Sequence, residues 1–232
     1  MHRETEMLKK VLVVTPTLER PGMCGRAIKS LTTQNFGSWS SIIAKNGGEL
    51  FLDAYRSVLR KPLALTNVHL LTLPGRGLGY ALNEALRQYL RGHNAFAVLE
   101  DDDEWDVDLL RVLYQAMTTS GADVTHCLQR QVPIQKQSPG GPMNPDLIRK
   151  RNWLNFPMCL FRASLFERIG GFSEEAGPAT DWDWHLRILK AGGKYHFVNE
   201  VLVTHHWHSS NYCIKVDGKP HVTAQIRAGA YK

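Results

Sequence analysis

Ala95-Phe96-Ala97-Val98-Leu99-Glu100-Asp101-Asp102-Asp103-Glu104-Trp105 passes in one step from an apolar run to five consecutive acids. A short, continuous apolar run has the length and character of a buried strand. The acids therefore stand at that strand's carboxyl end. Five like charges side by side repel one another, so the stretch reads either as a solvated acidic turn or as a site that collects a cation. Hard oxygen ligands in this position suit Mg2+ or Mn2+, which take one or two carboxylates together with the phosphates of a substrate. The chemical purpose of such an ion is to neutralise charge on a departing diphosphate.

Working outward, the chain ahead of this stretch alternates between strand and helix. Val11-Leu12-Val13-Val14 reads as a buried parallel strand that stops at Thr15-Pro16-Thr17, where Pro16 cannot donate to a ladder. Strand patterns come next at 39–44 and 68–73, the first ending in the turn signal Lys45-Asn46-Gly47-Gly48. Helical patterns occupy 25–34, 51–59 and 77–90. Four alternations in a hundred residues are the pattern of a doubly wound, mostly parallel α/β sheet flanked by helices. Ligands of such sheets bind beyond the carboxyl ends of the strands, which brings Thr15, Pro16 and Thr17 to the acidic run. Downstream the pattern predicts a helix over 106–117, a strand over 123–128 and a long loop over 131–144. A strand over 156–161, a short helix to 169, a helix over 182–190 and a strand over 195–206 complete it. No repeat or linker divides the chain, so it reads as a single domain with an aperiodic tail from about residue 209.

Composition bounds the rest. The 232 residues are 43% hydrophobic and 22% charged, enough for a packed core. A net charge of +6 suits anionic partners such as nucleotides, nucleic acid or a phospholipid surface, and is also common on soluble proteins without such a role. Cys24, Cys127, Cys159 and Cys213 form no CxxC pair, which argues against a zinc ribbon or disulfide framework and fits a reducing cytoplasm. No apolar run approaches the ~20 residues that span a bilayer, so a lipid acceptor would be met from the water side, by a protein peripheral to the membrane.

Three further clusters carry chemistry. Thr180-Asp181-Trp182-Asp183-Trp184-His185-Leu186-Arg187 places two acids at the start of a helix, where they serve either as caps or, beside indole faces that floor a sugar site, as a general base. His205-His206-Trp207-His208 offers on a strand at most two ligands, with His205 pointing away from His206 and His208. Gly75-Arg76-Gly77-Leu78-Gly79 is not a dinucleotide fingerprint, but its glycines let backbone approach a nucleotide, and Arg76 can meet a base or phosphate.

Taken in order, these segments resemble the family 2 glycosyltransferases with the GT-A, Rossmann-like fold. Residues 11–17 look like the family's opening strand and nucleotide loop, and residues 77–83 are similar to its next helix. Residues 99–105 look like its DxD region, Ile169-Gly170-Gly171-Phe172 like its "GGF", and Asp181 with Asp183 and Arg187 like its ED motif. His208 falls where many members place a late metal-contacting histidine. The resemblance implies an inverting transfer from a nucleotide-sugar donor to a hydroxyl acceptor, with Mn2+ or Mg2+ as cofactor. Asp102 would be the main metal ligand, Asp101 would lie near metal or ribose, and His208 would add a metal or phosphate contact. Asp181 would be the base. Thr15, Pro16, Thr17, Asn46, Arg76, Asn83, Glu100, Asp101, Asp102 and Asp103 would line the nucleotide-sugar, and Trp153, Trp182, Asp183 and Trp184 the acceptor. It divides the chain into a nucleotide-binding half, about 10–105, and an acceptor-binding half, about 106–208, with 209–232 as a tail. The chain departs from the family pattern at Glu100, at Thr180, and at Lys45-Asn46, where an acidic pair usually holds uracil; the donor is expected to be UDP- or dTDP-type. The acceptor stays open among a glycan, a lipid-linked sugar, a small molecule and a nucleic acid. Two other readings compete: a nucleotidyltransferase of sugar phosphates, and a nucleic-acid-directed binding protein or transferase.

Overall fold

The computed structural model describes residues 10–133, 136–137 and 140–208. Cys213 and the expected tail from 209 lie outside them. The described strands form one sheet in the order β3-β2-β1-β4-β8-β6-β9-β5, with β7 paired to β6. In chain order these are β1 (Val11–Thr17), β2 (Trp39–Asn46), β3 (Val68–Leu73), β4 (Ala95–Val98), β5 (Glu104–Trp105), β6 (Val124–Val132), β7 (Lys136–Gln137), β8 (Cys159–Arg162) and β9 (Tyr195–His206). The helices are α1 (Pro21–Thr32), α2 (Leu52–Val58), α3 (Leu78–Tyr89), α4 (Leu109–Ser120), α5 (Pro145–Ile148), α6 (Ser164–Ile169) and α7 (Thr180–Lys190).

The first four strands are parallel, as their continuous apolar runs require when helices cover both faces. Every residue of β1, β2 and β4 is buried. β1 continues through Thr15, Pro16 and Thr17 rather than stopping before them. The reason lies in the register: β4 pairs with β1 only as far as Val14, so Pro16 stands where the β4 side of the strand is open and lacks nothing by having no N–H. β2 likewise runs on through Lys45 and Asn46, paired to Thr72 and Leu73 of β3.

In the second half β8 lies antiparallel between β4 and β6, while β6 and β9 are parallel neighbours. The expected 156–161 strand begins only at Cys159, because Phe156–Met158 closes a 3-10 turn around Pro157. Part of the expected 131–144 loop is also structured, since β6 extends to Val132 and β7 folds back on it. The last of the acids, Glu104, and Trp105 after it pair antiparallel with Thr204 and Val203. This two-residue strand delivers the end of β9 to the acidic run.

A tight contact ties α3 to the segment that leads to α7. A Cβ on Gly79 would collide with the Ser173 carbonyl, and one on Gly171 with the Asn83 amide. Asn83 donates to Phe172 O (2.9 Å) and accepts from Phe172 N (2.7 Å), so the Gly170-Gly171-Phe172 turn is held from both ends of one side chain. No helix among the described residues is long and apolar enough to cross a membrane. Cys24, Cys127 and Cys159 are free thiols, all buried.

Candidate active site

The four residues after Leu99 turn tightly, with Asp103 N bonded to Glu100 O, so their side chains fan in different directions. Asp101 points back under β1. Its carboxylate accepts from Thr17 Oγ1 (2.6 Å) and from both Nε and Nη2 of Arg20. Burial raises the Asp101 pKa to about 7, even though Arg20 and Thr17 favour the charged form. Asp102 Oδ2 accepts from Arg20 Nη1 (2.7 Å), and His208 Nε2 lies 3.1 Å from the same oxygen. Asp103 is fully buried and bonds His205 Nδ1 at 2.9 Å, while Glu104 takes His206 Nε2 at 2.7 Å and Arg26 Nε at 3.2 Å.

Each of the three histidines thus sits on its own acid. Strand alternation predicts that His205 points away from the other two. His205 is the most buried of the three, and it and His206, neighbours within β9, meet different acids, Asp103 and Glu104, while His208 lies past the end of the strand, where alternation no longer sets side-chain direction. Burial opposes a charge on His205, but Asp103 outweighs it and holds the imidazole pKa above its ordinary value. Asp103 is itself raised by burial, with the His205 contact opposing the rise.

Negative charge still exceeds what these partners offset. The Glu100 pKa lies well above the carboxylate range, through burial first and then the charges of Asp103, Asp102, Asp181 and Asp101. Glu100, Asp102 and Asp103 offer oxygens within 4.8 Å of one another. An all-carboxylate set of that size, short of positive charge, fits a hard divalent ion. Asp101 stands outside this set because Arg20 and Thr17 occupy its oxygens, whereas Glu100 belongs to it.

Asp181 occupies the first turn of α7 and is 8% exposed. Its Oδ2 accepts from Asn152 Nδ2 and its Oδ1 from the Trp182 amide, each at 2.8 Å. Burial raises its pKa to about 6, with those bonds restraining the rise. Its charge also contributes to the Glu100 shift, which places the two carboxylates in electrostatic reach of each other.

The residues expected to meet the acceptor are all buried. Trp184 is fully buried and packs on Phe172 with ring centroids 4.4 Å apart. Trp182 and Trp153 are buried as well, and Asp183 is tied to Arg187 one turn along at 2.9 Å. α7 is buried at every position from Thr180 to Leu186, so Trp182, Asp183 and Trp184 are covered together with Asp181. Other expected residues frame loops. Asn46 donates to Gly77 O (3.1 Å) and accepts from Arg76 N (3.3 Å), fixing the β3–α3 connection, and Asn83 holds the glycine turn. The Arg76 guanidinium is exposed over the Tyr80 ring. Thr15 and Thr17 are buried at the end of β1.

The sequence pattern does not single out Arg20, His205 or Asn152 as site residues. Arg20 carries a usable signal: it is a cation three residues past the end of β1, on the edge that faces the acids. Asn152 carries none, since only the packing of α5 on α7 brings it to Asp181. A further buried group, Lys45, donates to Gly48 O (2.6 Å) beside Tyr55, whose hydroxyl bonds Thr17.

Solved structures share this architecture at low identity. S. aureus TarS 1-349 matches with a TM-score of 0.69 at 16% identity over 94% of this chain. TarS 1-349 in complex with UDP-GlcNAc matches with a TM-score of 0.73 at 14% identity and the same 94%. The mannosyltransferase PcManGT from Pyrobaculum calidifontis, in complex with GDP-Man and Mn2+, matches at 0.65 and 18% identity, again over 94%. This chain spans 69%, 64% and 61% of those three chains in turn. No curated protein sequence matches it. The fold is the GT-A fold of glycosyltransferases. Residues 12–169, more than half of the sequence, match the family model for glycosyl transferase family 2. With its acidic run at the end of β4 and the architecture of these enzymes, the chain belongs to glycosyl transferase family 2.

Proposed function

We propose that the chain transfers a sugar from a nucleoside-diphosphate sugar, UDP- or dTDP-type, to a hydroxyl acceptor with inversion at the anomeric carbon. The observation that carries this reading is Asp181: a buried carboxylate with a pKa of about 6, held by Asn152 and within electrostatic reach of Glu100. A base works best when its pKa lies near the operating pH and its orientation is fixed. The acceptor oxygen attacks the anomeric carbon, the bond from that carbon to the diphosphate breaks, and the acceptor proton passes to Asp181. The reacting centre passes through an oxocarbenium-like state. One displacement inverts the centre, so no covalent nucleophile is required. Asp102 with Glu100 or Asp103, and His208 alongside, would hold Mn2+ or Mg2+, which supplies charge neutralisation for the departing diphosphate. The structural neighbour PcManGT was solved with GDP-Man and Mn2+, which supports a metal and a nucleotide-sugar here. Arg20 keeps Asp101 and Asp102 in place. The nucleotide would occupy the 10–105 half and the acceptor the 106–208 half.

Product analysis tests the reading. Incubation with UDP- and dTDP-sugars and Mn2+ is expected to release free nucleoside diphosphate, and a chelator to stop the release. Pyrophosphate as the product would identify a nucleotidyltransferase instead.

A further inference from the structure

The segment leading to Asn152 carries a charge pattern that the transfer reaction itself does not use. Residues 129–155 hold five cations, Arg130, Lys136, Arg149, Lys150 and Arg151, against a single acid, Asp146, in a chain whose whole net charge is +6. Three of the five are consecutive and end directly before the side chain that orients the base. Their position is fixed from both sides. Asn144 caps α5 by accepting from Asp146 N and Leu147 N, the Ile148 carbonyl accepts from Trp182 Nε1, and Asn152 bonds Asp181. Ile148, Trp153 and Leu154 are buried, so Arg149, Lys150 and Arg151 are the exposed span between two anchors on α7.

Of these three, only Arg149 has an acidic partner among the described residues, the exposed Asp146 at 3.3 Å in the same helical turn. Such a pair is worth little and yields to a better ligand. Two further cations stand beside it, directly before the Asn152 that bonds Asp181, and this placement has an electrostatic consequence. The acids at 100–103 and Asp181 would repel an anionic acceptor, and cations within a Debye length of about 8–10 Å offset that repulsion. Two arginines flanking a lysine also match a phosphate, which guanidinium groups grip through paired hydrogen bonds.

We propose, resting on the transferase reading above, that the acceptor bears a phosphate near its reacting hydroxyl, and that Arg149, Lys150 and Arg151 bind that phosphate. The phosphate is held and unchanged while the neighbouring hydroxyl gives its proton to Asp181 and its oxygen to the sugar. A nucleic-acid acceptor is disfavoured by the burial of Trp153, Trp182 and Trp184, which leaves these three rings unable to stack bases beside the basic span.

The test uses the full chain saturated with nucleoside diphosphate and Mn2+, with glycerol 3-phosphate and glycerol as probes in calorimetry. Wild-type protein should bind glycerol 3-phosphate and not glycerol, with affinity that falls as salt rises. The Lys150→Ala/Arg151→Ala variant should bind glycerol 3-phosphate about tenfold more weakly or worse. Equal binding by wild type and variant, or no preference for the phosphorylated probe, would overturn the proposal. So would tight binding of a single-stranded DNA oligonucleotide with no response to glycerol 3-phosphate. Hydrolysis of the nucleotide-sugar by wild type without acceptor reports on the transferase reading separately: its absence beside intact phosphate binding would fault that reading and leave the anion site standing.

Discussion

At Asp181, burial lifts the carboxyl pKa to about 6 while Asn152 and the Trp182 amide favour the charged form. A base acts only when deprotonated, so kcat/KM should fall on the acid side with an apparent pKa near 6. Asn152→Ala removes a bond to the carboxylate and should move that limb to higher pH; an unmoved limb would detach Asn152 from the base. Arg20 poses the opposite problem, a cation whose loss strands charge. Its guanidinium spans Asp101 and Asp102 and is 23% exposed. Arg20→Gln should therefore cost roughly 2 kcal/mol, between the values for exposed and buried pairs. Urea denaturation in the absence of metal reads this directly, and a loss below ~0.5 kcal/mol would make the pair energetically no better than a surface one.

On the scale of elements, β6 and α7 each bury a histidine. The pKa of His126 falls to about 4 and that of His185 to about 3, both mainly through burial. The folded chain binds fewer protons at these sites than the unfolded chain below the ordinary imidazole pKa of about 6.5, so stability is present above that pH and is lost as pH falls from there toward the folded values. Among the described residues neither ring nitrogen of His126 has a hydrogen-bond partner, and the ring sits among Trp153, Tyr195 and Phe197. His126→Phe should raise Tm and flatten its decline between pH 6.5 and pH 4, as differential scanning calorimetry would show; a lower Tm with the same slope would contradict this. The elements also differ in how readable they are. β1 to β4 announce themselves as apolar runs between turn signals. β5 has two residues and no period to read. Pro21 looks like a helix breaker, yet proline is tolerated in a first helical turn, so α1 begins four residues before the expected start at 25. The Phe156-Pro157-Met158 turn is as apolar as the strand it precedes, and hydrophobicity alone cannot separate them.

Across the whole molecule, the site draws on parts of the chain far apart in sequence: Thr17 ending β1 and Arg20 after it, the acids after β4, Asn152 before β8, Asp181 in α7 and the histidines at the end of β9. The acids, Asp181 and their order along the chain are legible, because strand-end position and residue type suffice to suggest them, and the family and fold they imply are the ones found. Which acid meets which cation is not, because that depends on β5 and β9 pairing and on the tight turn at 100–103. The inward turn of Trp184 is hidden for a similar reason: a tryptophan beside a carboxylate looks alike whether it floors a cleft or fills a core. What joins these pieces into one account is the division of labour between a charge-collecting acid run and a separate base. Comparing nucleoside diphosphate release by wild type and Asp181→Asn, with donor binding measured on the same samples, tests it most directly. The account predicts a fall in turnover of about 100-fold or more with donor affinity nearly unchanged; full turnover in Asp181→Asn would contradict it.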